Sequence, residues 1–289
     1  MPGAPDGPEP PVDWLAVCRR ATAGVQRALV RYPDTARRAV TTGRGEGGDL
    51  ALVIDRAAED AVFAELEALG IGLTAVSEER GQVPVAGGGP AWVVIDPIDG
   101  SLNAKRGLPH YALSVAVAEG PTMADVTFGY VFDLGSGEEW WAARGQGAHL
   151  DGARLGALDG GAGLEVLGLE VAYPRRVAAA APFLAETGAR RIRVVGAIAL
   201  SLCWVAAGRF DAALSLGPSR SVDAAAAQLV VRESGAAVTF IDLDPDLATV
   251  SLDLAMRSRV LAAPRPTLDA LVARIAGGGH GASPPPWPD

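Results

Sequence analysis

Residues 91–101 read Ala91-Trp92-Val93-Val94-Ile95-Asp96-Pro97-Ile98-Asp99-Gly100-Ser101. The run Ala91–Ile95 is continuously apolar and short, which predicts a strand buried on both faces. It empties into two aspartates three residues apart, with Pro97 and Gly100 fixing a sharp turn between and after them. Such a turn can aim both carboxylates and the Ile98 carbonyl at one point. Hard oxygen donors converging in that way suit Mg²⁺. A helix starting at Ser101 would add unpaired N–H groups, with that of Gly100, beside the cation. A solvated Pro-Asp-Gly type of turn is the plainer alternative for this segment taken alone.

Working outward, further acids stand at the ends of predicted elements. Upstream, Ala51–Ile54 is a short apolar run, and Asp55 closes it and opens an amphipathic helix that stops at Gly70. Leu73–Val76 is a strand candidate that ends in Ser77-Glu78-Glu79-Arg80, and a Gly/Pro loop is expected over about 81–90. Far downstream, Asp223 opens the helical stretch SVDAAAAQLVVRESG. Each acid alone reads as a helix cap, a first-turn dipole complement or a solvated loop. Together, four acidic clusters at element ends point to a shared cation site.

The rest of the chain supplies the frame. A helix is expected from about Asp13, its N-cap, to Arg31, with Trp14, Cys18, Ala21, Val25 and Leu29 at helical spacing. Segments 111–119, 124–133 and 138–144 alternate in the manner of an antiparallel meander. From 163 to 274 helices and strands alternate instead, which suggests a mixed sheet with helices on its faces. The change of character at 155–162 divides the chain into an α+β half, 13–158, and an α/β half, 159–276. Neither half has an obvious complete core, so tight packing between them is expected. The Pro/Gly-rich ends, 1–12 and 277–289, are expected to be disordered tails.

Composition narrows the function classes. The 289 residues carry 25 Lys+Arg against 34 Asp+Glu, a net charge of -9, which argues against a nucleic-acid polymer as partner. Lys105 is the only lysine. Cys18 and Cys203 sit in apolar, helix-like stretches without metal or disulfide spacing, so a reducing cytoplasm is the expected setting. The N-terminus does not have the pattern of a signal peptide, and the longest apolar run, Gly196 to Gly208, is too short to span a bilayer of ~30 Å. No membrane partner is expected. The histidines His110, His149 and His280 form no pattern for a catalytic triad.

With these residues in hand, the chain resembles the inositol monophosphatase-like superfamily of Mg²⁺-dependent, lithium-sensitive phosphatases. Trp92 to Ser101 matches its hallmark segment, Glu78-Glu79 its acidic pair, and Asp49-Leu50 through Asp55 the segment before that. Gly145 to Gly152 and Asp223 to Gly235 match its later segments, and the resemblance covers about residues 13–275. It implies the sugar-phosphatase fold, a layered αβαβα sandwich combining α+β and α/β parts, and a homodimer. It also implies roles. Glu78, Asp96 and the Ile98 carbonyl would bind a first Mg²⁺. Asp96, Asp99 and Asp223 would bind a second, and Glu78 would hold a third through water. Ser101, paired with Asp55, would orient the attacking water, so that Asp55, Ser101 and Glu78 form the catalytic group. The Gly100 and Ser101 N–H groups would cradle phosphate, and Arg220 and Lys105 are candidates for a second anionic group.

The sequence departs from the family at three places. Many inositol phosphatases carry Trp where this chain has Val222. The neighbourhood Leu214–Arg220 lacks the acid that holds substrate hydroxyls, and Ser101 replaces the commoner Thr. The spacing Arg220-x-x-Asp223 resembles the branch that also accepts fructose-1,6-bisphosphate. The expectation is therefore a Mg²⁺-dependent phosphomonoesterase acting on a small polyol or sugar phosphate. Inositol-1-phosphate ranks first, ahead of fructose-1,6-bisphosphate, histidinol phosphate and 3′-phosphoadenosine 5′-phosphate. A catalytically silent, metal-binding member is the non-enzyme alternative.

Overall fold

The computed structural model describes residues 12–277 apart from 49, 157 and 159–162. The tails, except residues 12 and 277, and the motif residue Asp49 lie outside the described residues. The chain begins with α1 (Trp14–Val30), the short α2 (Thr35–Arg38), a ribbon of β1 (Thr41–Arg44) and β2 (Leu50–Leu52), and α3 (Val53–Ala68). Next come β3 (Leu73–Ser77), β4 (Gly81–Val85), β5 (Trp92–Asp99) and the short α4 (Ser101–Arg106). They are followed by β6 (Ala112–Ala118), β7 (Val126–Asp133), β8 (Glu139–Ala143), β9 (Gly147–Leu150) and β10 (Ala153–Arg154). The chain continues with β11 (Val166–Glu170), α5 (Pro174–Glu186), β12 (Arg191–Arg193), α6 (Ile198–Ala206) and β13 (Ala212–Ser215). It closes with α7 (Ser221–Glu233), β14 (Ala237–Phe240), β15 (Val260–Ala263) and α8 (Arg265–Gly277).

Strand alternation sets the layers, because successive side chains leave a strand on opposite faces. In the larger sheet, ordered β10-β9-β8-β7-β6-β5-β3-β4, Val93, Ile95, Leu113, Val115 and Val117 pack against Val17, Val25, Val62 and Phe63 of α1 and α3. From the other face Val94, Ala112, Ala116 and Val131 meet α6 and α7. The second sheet, ordered β12-β11-β13-β15-β14, offers Ala213 and Ala262 to the same two helices. Its far face, with Leu167, Leu214 and Leu261, packs on Leu268 and Leu271 of α8 and Ala180 of α5. The order α1/α3, sheet, α6/α7, sheet, α5/α8 is the expected αβαβα sandwich. Burial of each Leu, Ile, Val or Phe in these clusters contributes ~1.5–3 kcal/mol.

The middle layer is tight because its contacts are made by small residues. Ala224, Ala225, Ala226 and Ala227 of α7 are all buried. A Cβ at Gly129, in the middle of β7, would stand 2.5 Å from the Ala226 carbonyl oxygen. The helix thus rides on bare backbone at that point.

Several local expectations change. Asp13 caps α1 as read, accepting from the Ala16 N–H at 3.0 Å. The expected loop over 81–90 is instead β4 as far as Val85, paired with β3. β4 has a single neighbour in the sheet, so the N–H that Pro84 lacks need break no ladder bond. The apolar run before Asp55 splits between β2 and α3, and Asp55 falls in the first turn of α3 rather than at its cap. β15 and α8 were not separated out in the sequence reading. Cys18 and Cys203 are both buried and free, in different layers. Among the described residues, no helix is long and apolar enough to cross a membrane.

Candidate active site

β3 and β5 run parallel, with Ser77 beside Ile95, so both strands release their acids at one edge of the sheet. Glu78 and Glu79 follow β3, and Asp96–Asp99 close β5. α3 brings Asp55 in its first turn, and α7, lying across β5, β6 and β7, brings Asp223 in its own. The pairing of β5 with β6 is irregular between Asp96 and Asp99, a bulge that redirects the strand end. Gly100 then takes φ +87, where a Cβ would come within 3.0 Å of the Gly196 carbonyl and 3.2 Å of that of His110. Only glycine fits that turn without strain.

The turn is held by its own polar groups. The Ile98 N–H donates to Asp96 Oδ1 at 3.0 Å, and the Ala199 N–H, from the first turn of α6, donates to Asp99 Oδ2 at 2.7 Å. Ser101 Oγ lies 3.0 Å from Asp55 Oδ1 and 2.9 Å from the Ile98 carbonyl. A hydroxyl has one proton and two lone pairs, so Ser101 can give its proton to Asp55 while a lone pair accepts from a third group. Asp55 Oδ2 is fixed by the Leu52 N–H at 3.1 Å.

Arg220 lies among the acids. Its Nη1 is 2.6 Å from Glu78 Oε1 and its Nε 3.3 Å from Asp223 Oδ1, while its backbone N–H donates to Asp223 Oδ2 at 2.8 Å. A Cβ at Gly47 would stand 2.8 Å from Arg220 Nη1, so the β1–β2 turn closes over the guanidinium. Lys105, in the last turn of α4, has no hydrogen bond or ion pair among the described residues, and nothing ties it to the acids. Among the described residues, no three acidic, histidine or cysteine side chains converge closely enough to hold an ion as they stand. The Arg220 guanidinium stands between Glu78 and Asp223.

The electrostatics express the same crowding. Burial, then Glu78, Asp99 and Asp223, pushes Asp96 well above the usual carboxylate range, with Arg220 opposing. Burial and Asp223 do the same to Asp99, eased by the Ala199 N–H. Burial raises Glu78 despite Arg220 beside it, and Asp223 and Asp55 add to the rise. Asp55 is pushed up to about 6 by burial, with the Leu52 and Ser101 hydrogen bonds drawing it back. Glu79 rises to about 7, first through burial and then through Asp55, and its Oε2 is buried without a hydrogen-bond partner. Clustered hard oxygens that resist ionisation for lack of positive charge fit a divalent cation such as Mg²⁺.

Supporting residues went unread in the sequence. Glu59, one helical turn past Asp55, accepts from the Ser77 hydroxyl and from the Glu79 and Arg80 N–H groups. An acid on the apolar face of an amphipathic helix was the available signal. Asn103 Nδ2 bridges the carbonyls of His110, at 2.9 Å, and Val195, at 2.7 Å. Glu170, an acid closing an apolar strand, is buried beneath the same region. Nothing local announces that Arg220 would meet Glu78.

A five-layered sandwich with acids gathered at the ends of β3, β5 and α7 belongs to the sugar-phosphatase class of folds. The chain is a member of the inositol monophosphatase family, whose model matches residues 15–278. A protein of Methanothermobacter thermautotrophicus named fructose-1,6-bisphosphatase/inositol-1-monophosphatase is 34% identical over 242 residues, covering 78% of this chain and 84% of the relative. A protein of the same name from Archaeoglobus fulgidus is 32% identical over 254 residues, covering 87% and 93%. A solved structure described as an inositol monophosphatase–fructose 1,6-bisphosphatase superposes with a TM-score of 0.78 at 24% identity, covering 91% of this chain and 100% of the other. At that identity the superposition speaks for the fold.

Proposed function

We propose that this phosphatase is Mg²⁺-dependent and hydrolyses small polyol or sugar phosphates, with inositol-1-phosphate the first candidate. The observation that carries the reading is the grouping of Asp55, Glu78, Asp96, Asp99 and Asp223, from four separate elements, near enough to hold one another's carboxyls above the usual range, with Ser101 bound to Asp55. Glu78, Asp96 and the Ile98 carbonyl would hold one cation, and Asp96, Asp99 and Asp223 a second, with Asp96 shared. Glu78 would also hold a third through water. Bound Mg²⁺ supplies the positive charge that a phosphate dianion demands and makes water more acidic.

The chain's own groups do the positioning. The Gly100 and Ser101 N–H groups would hold the phosphoryl oxygens. Ser101 Oγ, giving its proton to Asp55 Oδ1, presents a lone pair to a hydrogen of the attacking water. Asp55, with its pKa about 6, is then a competent proton acceptor near neutral pH. Attack in line with the ester oxygen releases inorganic phosphate and the alcohol. Assembly as a homodimer in the cytoplasm is part of the same proposal.

A second reading, fructose-1,6-bisphosphate, is favoured by one feature. The stretch Leu214–Arg220 lacks the acid expected of an inositol phosphatase, Arg220 stands three residues before Asp223, and two relatives carry both activities in their names. Lys105 is the further candidate for a second anionic group. The test is phosphate release from inositol-1-phosphate and fructose-1,6-bisphosphate with Mg²⁺ titrated from zero, for the wild type and Asp96→Asn. The variant is expected to stay folded and lose turnover. Undiminished Mg²⁺-dependent release by Asp96→Asn would overturn the assignment.

A further inference from the structure

We propose that Glu170 is a positioning residue for the Asp99 carboxylate, acting through the turn over 195–199. The proposal rests on the reading of Asp99 as a cation ligand and extends it to a residue that touches neither cation nor substrate. Glu170 ends β11 and is 2% exposed. Its Oε1 accepts from the Val195 N–H at 3.3 Å and the Ser201 hydroxyl at 2.5 Å, and its Oε2 from the Gly196 N–H at 3.1 Å. Burying a carboxylate is costly. This one is spent on the few residues that lead into α6.

Those residues matter because α6 has no cap of its own. Its N-cap position is Ala197, with no side-chain hydrogen bond. The cap comes instead from the other sheet: Asp99 Oδ2 accepts the Ala199 N–H at 2.7 Å. Where the 195–199 turn stands therefore decides where the Asp99 carboxylate stands. The turn is held from two sides, by Glu170 on its N–H groups and by Asn103 on the Val195 carbonyl. It also abuts the Gly100 turn, where a Cβ would stand 3.0 Å from the Gly196 carbonyl and 3.1 Å from Ala197 Cβ. Glu170 thus sets one wall of the site from a distance, as hydrogen-bond partners behind metal ligands do elsewhere.

Glutamine at 170 keeps the volume but replaces one acceptor by an NH₂ donor, which would face an N–H or hydroxyl donor. The experiment is calorimetric titration of the metal-stripped full chain with Mg²⁺ alone, comparing wild type, Glu170→Gln, Asp99→Asn and Leu268→Ala. Leu268 lies in the cluster on the far face of the second sheet and serves as a purely structural lesion. Glu170→Gln is expected to weaken Mg²⁺ binding by roughly 10–100-fold. Its kcat should recover at high Mg²⁺ with KM for substrate unchanged. Leu268→Ala should lower Tm and leave Mg²⁺ affinity alone. Ser201→Ala, which removes one of the three donors, should shift affinity the same way by less, and serves if Glu170→Gln does not fold. Wild-type affinity in both Glu170→Gln and Ser201→Ala, with binding lost in Asp99→Asn, would overturn the proposal alone. Full binding in Asp99→Asn would overturn it together with the reading beneath it.

Discussion

Gly129→Ala tests whether the packing of the middle layer sets the geometry of the site. Gly129 is in the interior of β7, paired with Ala116 of β6 and Ala142 of β8. The added Cβ would meet the Ala226 carbonyl oxygen at 2.5 Å, where ordinary contact begins at 3.4 Å. Something must therefore give by about 1 Å. β7 is hydrogen-bonded on both sides, so the helix is the softer partner. Ala226 is three residues past Asp223 on α7, and a shift there carries the Asp223 carboxylate with it. Overpacking of this kind costs ~1–3 kcal/mol, which for a chain of this size lowers Tm by roughly 2–5 °C. A displacement of about 1 Å in a positioning group can cost ~100-fold in rate. The expected result is a folded protein with reduced Tm in calorimetry, Mg²⁺ affinity weakened by about tenfold, and a larger fall in kcat. An unchanged Tm would refute the close approach itself. A lowered Tm with wild-type Mg²⁺ affinity and kcat would refute the link from β7 through α7 to Asp223.

The metal-stripped protein should lose stability as pH rises. Glu78 moves from 4.5 to about 8, Asp55 from 3.8 to about 6 and Glu170 from 4.5 to about 7. The unfolded chain gives up these protons first, so stability present below about pH 4 is lost progressively up to about pH 8, with Glu78, the most strongly raised of the three, contributing most. Melting temperatures in a chelator should fall across that window and recover with Mg²⁺, and a flat profile would contradict the buried-acid reading. Arg220→Met should destabilise the metal-free protein and tighten Mg²⁺ binding by about tenfold, the equivalent of ~1.4 kcal/mol, because the tethered cation no longer competes. Weaker Mg²⁺ binding in that variant would show that Arg220 supports the cation rather than opposing it.

The elements that were legible in the sequence are those whose signal is local. The run Trp92–Ser101 carries its own strand and turn, although β5 runs on through a bulge to Asp99 rather than ending at Ile95, and the alternation over 111–144 announces the meander. The layered sandwich followed from family resemblance, and the faces of β5 and β6 fit it residue by residue. β4 was hidden because Pro84 reads as a breaker, and only an edge position makes it acceptable. β15 is four residues between Arg259 and Pro264, too short to display a period. The acids were identifiable one by one, each at an element end. That they share one site was expected from their number and from the family resemblance, but the geometry that gathers them was not legible, because it depends on β3 and β5 being parallel neighbours and on how closely α7 seats over Gly129. Arg220 and Glu78 are distant in sequence, and a salt bridge of that separation leaves no local trace. Glu170 reads as the polar end of a strand, since two of its partners are backbone N–H groups that any sequence would supply and the third, Ser201, is 31 residues away.

The site's cost and its function have the same origin. Five carboxylates brought together repel one another, and among the described residues the fold offsets this with N–H groups, the Ser101 hydroxyl and Arg220. The N–H groups of Ile98 and Ala199 cannot leave, so they fix the direction of Asp96 and Asp99 whatever else binds. Arg220 differs, because its charge sits on a side chain that bridges Glu78 and Asp223, acids that a divalent cation would also seek. Exchange of that guanidinium for a divalent cation would replace one positive charge by two. A guanidinium displaced in this way would stay tethered beside Asp223 and be available to a second anionic group on the substrate. The same residue can therefore hold the acids together before the cation arrives and contribute to substrate choice afterwards. This gives Arg220 a physical reason to stand three residues before Asp223, on the turn that leads into α7.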